Sequence, residues 1–228
     1  MQKVVGLILA AGASSRMGSP KPLLKIAKKT LLEDQVSRMR EAGIEDIYVV
    51  VGCKANEIKE RHKDLDVHWV ENKEWKLGKF SSVVCGIKFV ILSECNGRRI
   101  SRLNASNGRS FAPLRMTPHF GNRRLHGNDI QGLLLLPVDV VNVSPEIMKK
   151  VIDEGLKSNQ NIIPTFEDHG GHPVFLTSEF CQKISDKNPA VNRLDNLLNN
   201  DPKTFRLPVN SRSILNNINT LKDKEAVL

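Results

Sequence analysis

Short apolar runs alternate along the chain with segments whose apolar residues recur at helical spacing. Fully apolar runs of four to eight residues predict buried strands, and apolar residues three or four positions apart predict amphipathic helices. The predicted strands cover 4–9, 47–51, 67–70, 133–138, 161–165, 204–209 and 214–215, with one more after Gly171, and predicted helices cover 55–61, 82–92 and 194–198. This alternation predicts an α/β fold, a single three-layer Rossmann-like domain with helices on both faces of a mostly parallel, twisted sheet.

Polar residues mark where two further helices begin. Thr30 precedes apolar residues at 32, 36 and 39, and Gly43 stands where a helix C-cap glycine belongs. Ser144 followed by Pro145 has the composition of an N-cap and a first helical position. We therefore expect one helix between Thr30 and Gly43 and another from Pro145 onward.

The periodic pattern stops between about residues 96 and 131, a stretch rich in Gly, Asn, Ser, Pro and Arg. We interpret it as a basic loop insertion within one domain of residues 1–228, because so long an irregular segment is unusual inside a compact domain. Seven arginines lie between Cys95 and Asn128, without lysine or acid, so the segment carries most of the net charge of +9. Nucleic acid is therefore not an expected partner of the fold, although the insertion itself could bind phosphates or RNA.

Composition narrows the class of protein. The 228 residues, 40% hydrophobic and 26% charged, suffice for one sizeable globular domain. No apolar run reaches the length of a membrane span, and the N-terminus lacks a secretory pattern. The four cysteines form no C-x-x-C pair and are typical of reduced thiols. We expect a cytoplasmic protein without a membrane partner.

The first predicted strand runs into small residues, Ala10 to Ser15, followed by Arg16 and Lys21. A backbone with few Cβ atoms can approach a ligand closely, and its free N–H groups can bind an anion. A guanidinium and an ammonium nearby complete a typical phosphate site. No Gly-Lys-Ser/Thr or Gly-x-Gly-x-x-Gly is present, so this is neither a Walker loop nor a dinucleotide fingerprint. An ordinary strand-to-helix loop with two surface cations would have the same composition.

The ordered string from Leu9 to Leu24, LAAGASSRMGSPKPLL, resembles the signature of nucleotidyltransferases with a glycosyltransferase-A-like fold. It is similar to the MobA-like branch, which includes molybdenum-cofactor cytidylyltransferases and guanylyltransferases. The resemblance covers residues 1–94 and about 132–228. It implies a Mg²⁺-dependent enzyme whose nucleotide lies at the carboxyl edge of the strands.

On the donor side, the resemblance implies that Arg16 and Lys21 stabilise the triphosphate. The backbone of the first loop would line the nucleotide, and a serine pair after Gly78 would contact the base, although serines before a helix are more often N-caps. The implied nucleotide-binding residues are Leu9, Ala10, Ala11, Gly12, Ser14, Arg16, Lys21, Ser81 and Ser82.

On the metal and acceptor side, Pro137-Val138-Asp139 resembles the family's Pro-x-Asp, whose aspartate holds magnesium. Val141 stands where the family usually has a proline, which weakens the match in loop shape. Asn219 resembles a second metal ligand, although it or Asn217 could be a helix cap. Gly171-His172-Pro173 resembles a string typical of the cytidylyltransferase-like branch and implies that His172 contacts the acceptor.

The implied reaction is an in-line displacement, in which Arg16, Lys21 and Asp139 act by positioning and charge neutralisation. Leu9-Ala10-Ala11-Gly12 differs from the Leu-Ala-Gly-Gly of the guanylyl branch, so CTP is favoured over GTP as the donor. Molybdopterin or its molybdenum form would be the phosphorylated acceptor, with a sugar or alcohol phosphate as an alternative. A non-catalytic nucleotide- or RNA-binding module is the alternative of another class.

Overall fold

A computed structural model describes residues 3–14, 18–103, 130–220 and 223, with side chains from 92 to 103 excepted. The strands are β1 Lys3–Ala10, β2 Lys25–Ile26, β3 Lys29–Thr30, β4 Ile47–Val51, β5 His68–Glu71, β6 Ile130–Pro137, β7 Asn161–Phe166, β8 His169–Gly170, β9 Val174–Thr177 and β10 Thr204–Pro208. The α-helices are α1 Leu31–Glu41, α2 Ala55–Arg61, α3 Lys79–Leu103, α4 Pro145–Ser158, α5 Ser178–Ser185 and α6 Leu194–Asn199.

One mixed, mostly parallel sheet organises the molecule. Its strand order is β10-β7-β9-β6-β1-β4-β5, with β8 paired to β7 beside this path. The pairs β6–β1, β1–β4, β4–β5 and β7–β10 are parallel, whereas β9 runs antiparallel to β6 and β7. The predicted α/β class and mostly parallel sheet are confirmed.

Helices cover both faces of the sheet, as the three-layer prediction requires. Alternate residues of a strand point to opposite faces, so in β1 Ile8 packs against one apolar cluster and Leu7 against the other. The Ile8 cluster includes buried residues of α1, α2 and α4, and the Leu7 cluster includes those of α3, α5 and α6. A Cβ on Gly86 would lie 2.6 Å from Leu7 Cδ1, so a glycine lets α3 approach β1 closely.

The boundaries of several predicted elements differ from those observed. Residues 212–215 form a 3-10 turn, so the prediction of an extended segment at 214–215 is wrong. Helix α3 continues to Leu103, and β6 begins at Ile130, which makes the irregular stretch shorter than the predicted 96–131. The remainder, 104–129, lies outside the described residues, and the insertion there stays a prediction. Among the described helices, none combines the length and apolar character needed to cross a membrane.

Candidate active site

An open cleft of about 490 Å³ lies at the carboxyl ends of β1 and β6. The two strands are parallel neighbours, and β4 lies on the other side of β1, so the sheet order changes direction here. Open α/β sheets bind ligands at such a switch point. The cleft is lined by Leu9, Ala10, Ala11, Gly12, Ala13, Ser14, Lys21, Pro22, Trp75, Lys76, Gly78, Lys79, Ser82, Pro137, Val138, Asp139 and Asn219.

Backbone pairing brings the C-terminal part of the chain to the end of β6. Ile218 N–H donates to the Asp139 carbonyl at 2.8 Å, and Val141 N–H donates to the Asn216 carbonyl at 3.0 Å. The segment 216–219 therefore runs alongside 139–141. This pairing places Asn219 beside Asp139, although 80 positions of sequence separate them.

Lys21 joins the two ends of this arrangement. Its ammonium lies 2.8 Å from Asp139 Oδ2 and 3.0 Å from Asn219 Oδ1. The Lys21 backbone N–H donates to Ser14 Oγ at 2.9 Å, which ties the loop after β1 to the residue that enters the cleft. Four residues that the sequence predicted for the site thus form one connected group.

The oxygens around the Lys21 ammonium suit a hard divalent cation. Asp139 offers a carboxylate and Asn219 an amide oxygen, and both already lie within hydrogen-bond distance of one cationic atom. No group of three or more His, Cys, Asp and Glu side chains able to hold a metal occurs among the described residues. Such a sparse set fits magnesium, which takes one or two protein ligands and completes its shell with water and substrate phosphates.

Asp223 supports the Asn219 turn, and its role was not predicted. Its carboxylate accepts from the backbone N–H groups of Asn219 at 2.8 Å and Thr220 at 2.7 Å. These hydrogen bonds lower the pKa of Asp223, and the positive charge of Lys21 adds to the effect. The carboxylate therefore stays ionised at one margin of the cleft while it fixes the backbone of Asn219.

The opposite wall is built around a buried asparagine. Asn72 Nδ2 donates to Ser81 Oγ at 2.9 Å and to Ser82 Oγ at 3.0 Å, and its Oδ1 accepts from the Glu74 backbone. Ser82 lines the cleft, whereas the Ser81 hydroxyl lies 2.8 Å from the Gly78 carbonyl oxygen. Of the predicted serine pair, Ser82 is thus placed to face a ligand and Ser81 holds the turn before α3.

Lys79 is a cleft residue that the sequence analysis missed. It begins α3 and is accessible from the cleft, yet the surrounding protein displaces enough water for desolvation to lower the pKa of its ammonium. Asp139 and Asp195 attract this charge and Lys21 repels it. The segment around it, WKLGKFSS, contains two lysines in or beside a predicted turn, and nothing in the pattern separates Lys79 from a surface lysine.

His172 lies near this lysine but does not line the cleft. Its Nδ1 is buried and has no hydrogen-bond partner among the described residues. Burial and the nearby Lys79 charge lower the pKa of His172 to about 3, against a weaker opposing effect of Asp139, so the imidazole is neutral. A Cβ on Gly171 would lie 2.5 Å from the Ile214 carbonyl oxygen, which also accepts from the His172 N–H, so this close approach requires glycine.

Arg16 lies outside the described residues, as do Ser15 and Met17. Its predicted contact with the triphosphate stays a prediction. The described part of the predicted nucleotide-binding segment, from Leu9 to Ser14, lines the cleft, and its contact with a nucleotide stays a prediction.

A family model for the MobA-like NTP transferase domain matches residues 6–203, most of the chain. The chain belongs to the MobA-like NTP transferase family. This membership confirms the family suggested by the Leu9–Leu24 string and the predicted class of enzyme, a nucleotidyltransferase.

Two curated relatives of this family member match its sequence over a limited length. The bifunctional IPC transferase and DIPP synthase of Rubrobacter xylanophilus is 39% identical over 89 residues, 36% of this chain and 20% of that protein. The bifunctional protein GlmU of Clostridium tetani is 36% identical over 92 residues, 40% of this chain and 20% of that protein. The matched part thus spans about a fifth of either relative.

Solved structures share the fold at low sequence identity. Rv0371c of Mycobacterium tuberculosis is 20% identical with a TM-score of 0.69, covering 99% of this chain and 98% of that one. A manganese complex of Rv0371c is 19% identical with a TM-score of 0.65, and the match covers 100% of this chain and 98% of that one. The 4-diphosphocytidyl-2C-methyl-D-erythritol synthase of Anaerococcus prevotii is 14% identical with a TM-score of 0.64, and the match covers 99% of this chain and 94% of that one. The molybdopterin-guanine dinucleotide biosynthesis protein A of Archaeoglobus fulgidus is 13% identical with a TM-score of 0.58, and the match covers 97% of this chain and 95% of that one.

Proposed function

We propose that this member of the family transfers CMP from CTP to a phosphorylated acceptor in a Mg²⁺-dependent reaction that releases pyrophosphate. Molybdopterin, or its molybdenum form, is the acceptor we favour. The observation that carries the proposal is the convergence of Lys21, Asp139 and Asn219 in a cleft that residues 9–14 also line.

The reaction balances without a protein nucleophile. A phosphate oxygen of the acceptor attacks the α-phosphorus of CTP, and a new P–O bond forms. The bond between the α-phosphorus and the oxygen bridging to the β-phosphate breaks, and pyrophosphate leaves with that electron pair. The residues that line the described cleft include three lysines, Asp139 and Asn219 but no Cys or His, which suits positioning and charge stabilisation.

Each proposed residue has a definite task. Ala10, Ala11 and Gly12 are small, and together with Leu9 they would let the nucleotide lie against the backbone at the end of β1. Lys21 supplies a mobile ammonium for the triphosphate, and Arg16 a guanidinium. Asp139 and Asn219 would hold Mg²⁺, which when bound neutralises charge on the phosphates and polarises the α-phosphorus. Ser14 fixes the backbone of Lys21 and hence the origin of its side chain.

The choice of cytosine as the base and of a pterin as the acceptor rests on short sequence motifs and on the names of related proteins. Ala11 stands at the position where the signature of the guanylyl branch has glycine. The string Gly171-His172-Pro173 is typical of the cytidylyl-like branch. The name of the synthase from Anaerococcus prevotii includes a diphosphocytidyl product, which supports a cytidine donor on this fold. The Archaeoglobus protein is named for molybdopterin-guanine dinucleotide synthesis, which supports a pterin acceptor and keeps GTP as an alternative donor. His172 and the residues around it would lie on the acceptor side.

A second class of acceptor has its own support. The product named for the Anaerococcus synthase is an erythritol derivative, which supports a small alcohol phosphate as an acceptor on this fold. A sugar or alcohol phosphate is therefore the alternative acceptor.

The test is Mg²⁺-dependent release of pyrophosphate by the purified protein with molybdopterin and each of CTP, GTP, ATP and UTP. We expect release with CTP. Asp139→Asn should lower the rate by on the order of 10²–10³, the typical cost of losing one preorganised electrostatic group. Asp153→Asn, which removes an exposed carboxylate from α4, is the matched control and should leave the rate unchanged.

The alternatives give different results in the same assay. Release of pyrophosphate with GTP alone would identify GTP as the donor. Release only with an alcohol phosphate would identify that compound, and not molybdopterin, as the acceptor. Absence of release with every pair, together with no Mg²⁺-dependent nucleotide binding by calorimetry, would contradict the proposal.

A further inference from the structure

The proposed reaction brings two anions together, and each needs a cation. Three lysines line the described cleft: Lys21, Lys76 and Lys79. Lys21 is ion-paired with Asp139 at 2.8 Å, and the Lys76 ammonium lies 5.7 Å from the centre of the Trp75 ring. Lys79 has no hydrogen bond, ion pair or ring contact within the part of the chain that the structure describes.

Lys79 is thus a cation in an accessible cleft with no direct partner among the described residues. Desolvation of an ammonium disfavours its charged form, as the lowered pKa of Lys79 reflects. A close anion would offset that cost and would itself gain a strong, charge-assisted hydrogen bond. The side chain is accessible, so a ligand can supply this anion.

The neighbours of Lys79 indicate which anion fits. The charge of Lys79 interacts with Lys21 and Asp139, the groups proposed for the triphosphate and the metal, and all three residues line the cleft. Its charge also interacts with Asp195, in the first turn of α6, and with His172, the residue proposed for the acceptor. The neutral His172 imidazole provides no counter-charge. Lys79 therefore lies near the groups proposed for the reacting phosphates and near the residue proposed for the acceptor.

We propose that Lys79 binds the phosphate group of the acceptor and holds it for attack on the α-phosphorus. This inference rests on the proposed function, because it takes the two anions to be a nucleoside triphosphate and a phosphomonoester. Lys79 would contact the nucleophile, whereas Lys21 would contact the nucleotide. The two ammonium groups would keep the negative charges from repelling each other as the oxygen approaches phosphorus.

Calorimetry with inorganic phosphate as the probe tests this assignment. Phosphate is titrated into the protein alone and into the protein saturated with Mg²⁺ and CTP. Lys79→Met, which keeps the length and removes the charge, should weaken phosphate binding about tenfold or more and leave CTP affinity within about twofold. Lys79→Arg should keep most of the phosphate affinity.

Lys88→Met is the matched control. Lys88 lies on the same helix, its side chain is 50% exposed, and its ammonium lies 3.8 Å from Asp186. This substitution removes one positive charge at a distance from the first turn and should leave phosphate binding unchanged. The thermal midpoint of Lys79→Met should match that of the wild type, because Lys79 makes no ion pair with the described residues.

Several results would overturn the assignment. One is phosphate binding that Lys79→Met does not affect, and another is no phosphate binding by the wild type. A third is an equal loss of phosphate and CTP affinity in Lys79→Met, which would assign Lys79 to the nucleotide site. Phosphate binding that requires Lys79 in a protein that binds no nucleotide would instead support the anion site and contradict the proposed function. CTP-dependent release of pyrophosphate with phosphate binding independent of Lys79 would leave the proposed function and remove this inference.

Discussion

Gly12 lies just beyond the carboxyl end of β1, where the main chain of the loop lines the cleft. A Cβ added to it would have no described atom within 4 Å, so a larger side chain has room in the folded protein. The same space is where a nucleotide would lie against the backbone. We expect Gly12→Val to lower kcat/KM for the nucleotide about 10²-fold, the scale of a misplaced substrate, without a change in thermal midpoint.

Gly12→Ala provides the graded comparison, since one methyl group intrudes less than an isopropyl group. Steady-state kinetics at several nucleotide concentrations, with thermal unfolding on the same samples, checks both effects. A fall in stability that parallels the fall in kcat/KM would mean that Gly12 is needed for folding, and the loop would lose its proposed contact with the nucleotide.

Individual site residues differ in how far the sequence could reveal them. Lys21, Asp139 and Asn219 belong to strings that resemble a known signature, and the structure brings all three together. Lys79 could not be singled out, because its character depends on partial desolvation and on the lack of a direct acidic partner among the described residues. Both depend on how α3 packs in the folded chain and not on neighbours in sequence.

At the level of the element, the start of α1 carries an unusually connected cap. Thr30 Oγ1 accepts from the Glu33 N–H at 3.2 Å, and the Glu33 carboxylate accepts from the Thr30 N–H at 2.7 Å. The same hydroxyl lies 2.8 Å from Nε2 of the buried His62, whose Nδ1 lies 2.9 Å from the Ile58 carbonyl. We expect Thr30→Ala to lower the free energy of unfolding by about 2 kcal/mol or more, from the lost cap and an unpaired buried nitrogen.

Urea denaturation of the wild type, Thr30→Ala and Thr30→Ser measures this effect. Serine retains the hydroxyl and should recover most of the lost stability. Equal losses in the two variants would assign the effect to the Thr30 methyl group and would contradict the capping role.

The same scale shows why some elements were misjudged. Continuous apolar runs located β1 and β4, and the cap residues Ser144 and Pro145 located the start of α4. Apolar periodicity alone locates elements less completely. It does not determine the direction of a strand in the sheet. Only residues 167–173 join β7 to β9, too few for a parallel crossover, and β9 therefore runs antiparallel. The apolar pair 214–215 was too short to separate a strand from the observed 3-10 turn.

The site belongs to the whole molecule, because no single element contains it. The sheet order places the ends of β1 and β6 side by side, and the return of the chain along 139–141 adds Asn219. The resulting contact between Lys21 and Asn219 spans 198 positions of sequence. The α/β pattern predicted the edge of the sheet at which such residues would meet, but their distances required the folded chain.

Stability as a function of pH is also a property of the whole chain, and two groups divide the acidic range. The pKa of His172 falls from 6.5 to about 3 on folding. Desolvation is the main cause, repulsion from Lys79 lowers the pKa further, and attraction to Asp139 raises it in part. The unfolded state then binds more protons than the folded state between these values, so stability falls as pH falls below 6.5. Hydrogen bonding to His68 lowers the pKa of Asp46 from 3.8 to about 2, despite desolvation, and its contribution is lost only below 3.8.

These windows allow the two contributions to be separated by urea denaturation at pH 7 and pH 4.5. The wild type should lose stability over this interval, and His172→Gln should lose less, by at most about 3 kcal/mol for two pH units of differential protonation. Asp46→Asn should show the same loss as the wild type over this interval, because the Asp46 carboxyl stays ionised in both states above 3.8. An unchanged loss in His172→Gln would show that the imidazole is not held neutral, and the charge balance between His172 and Lys79 on the acceptor side would then have to be reassigned.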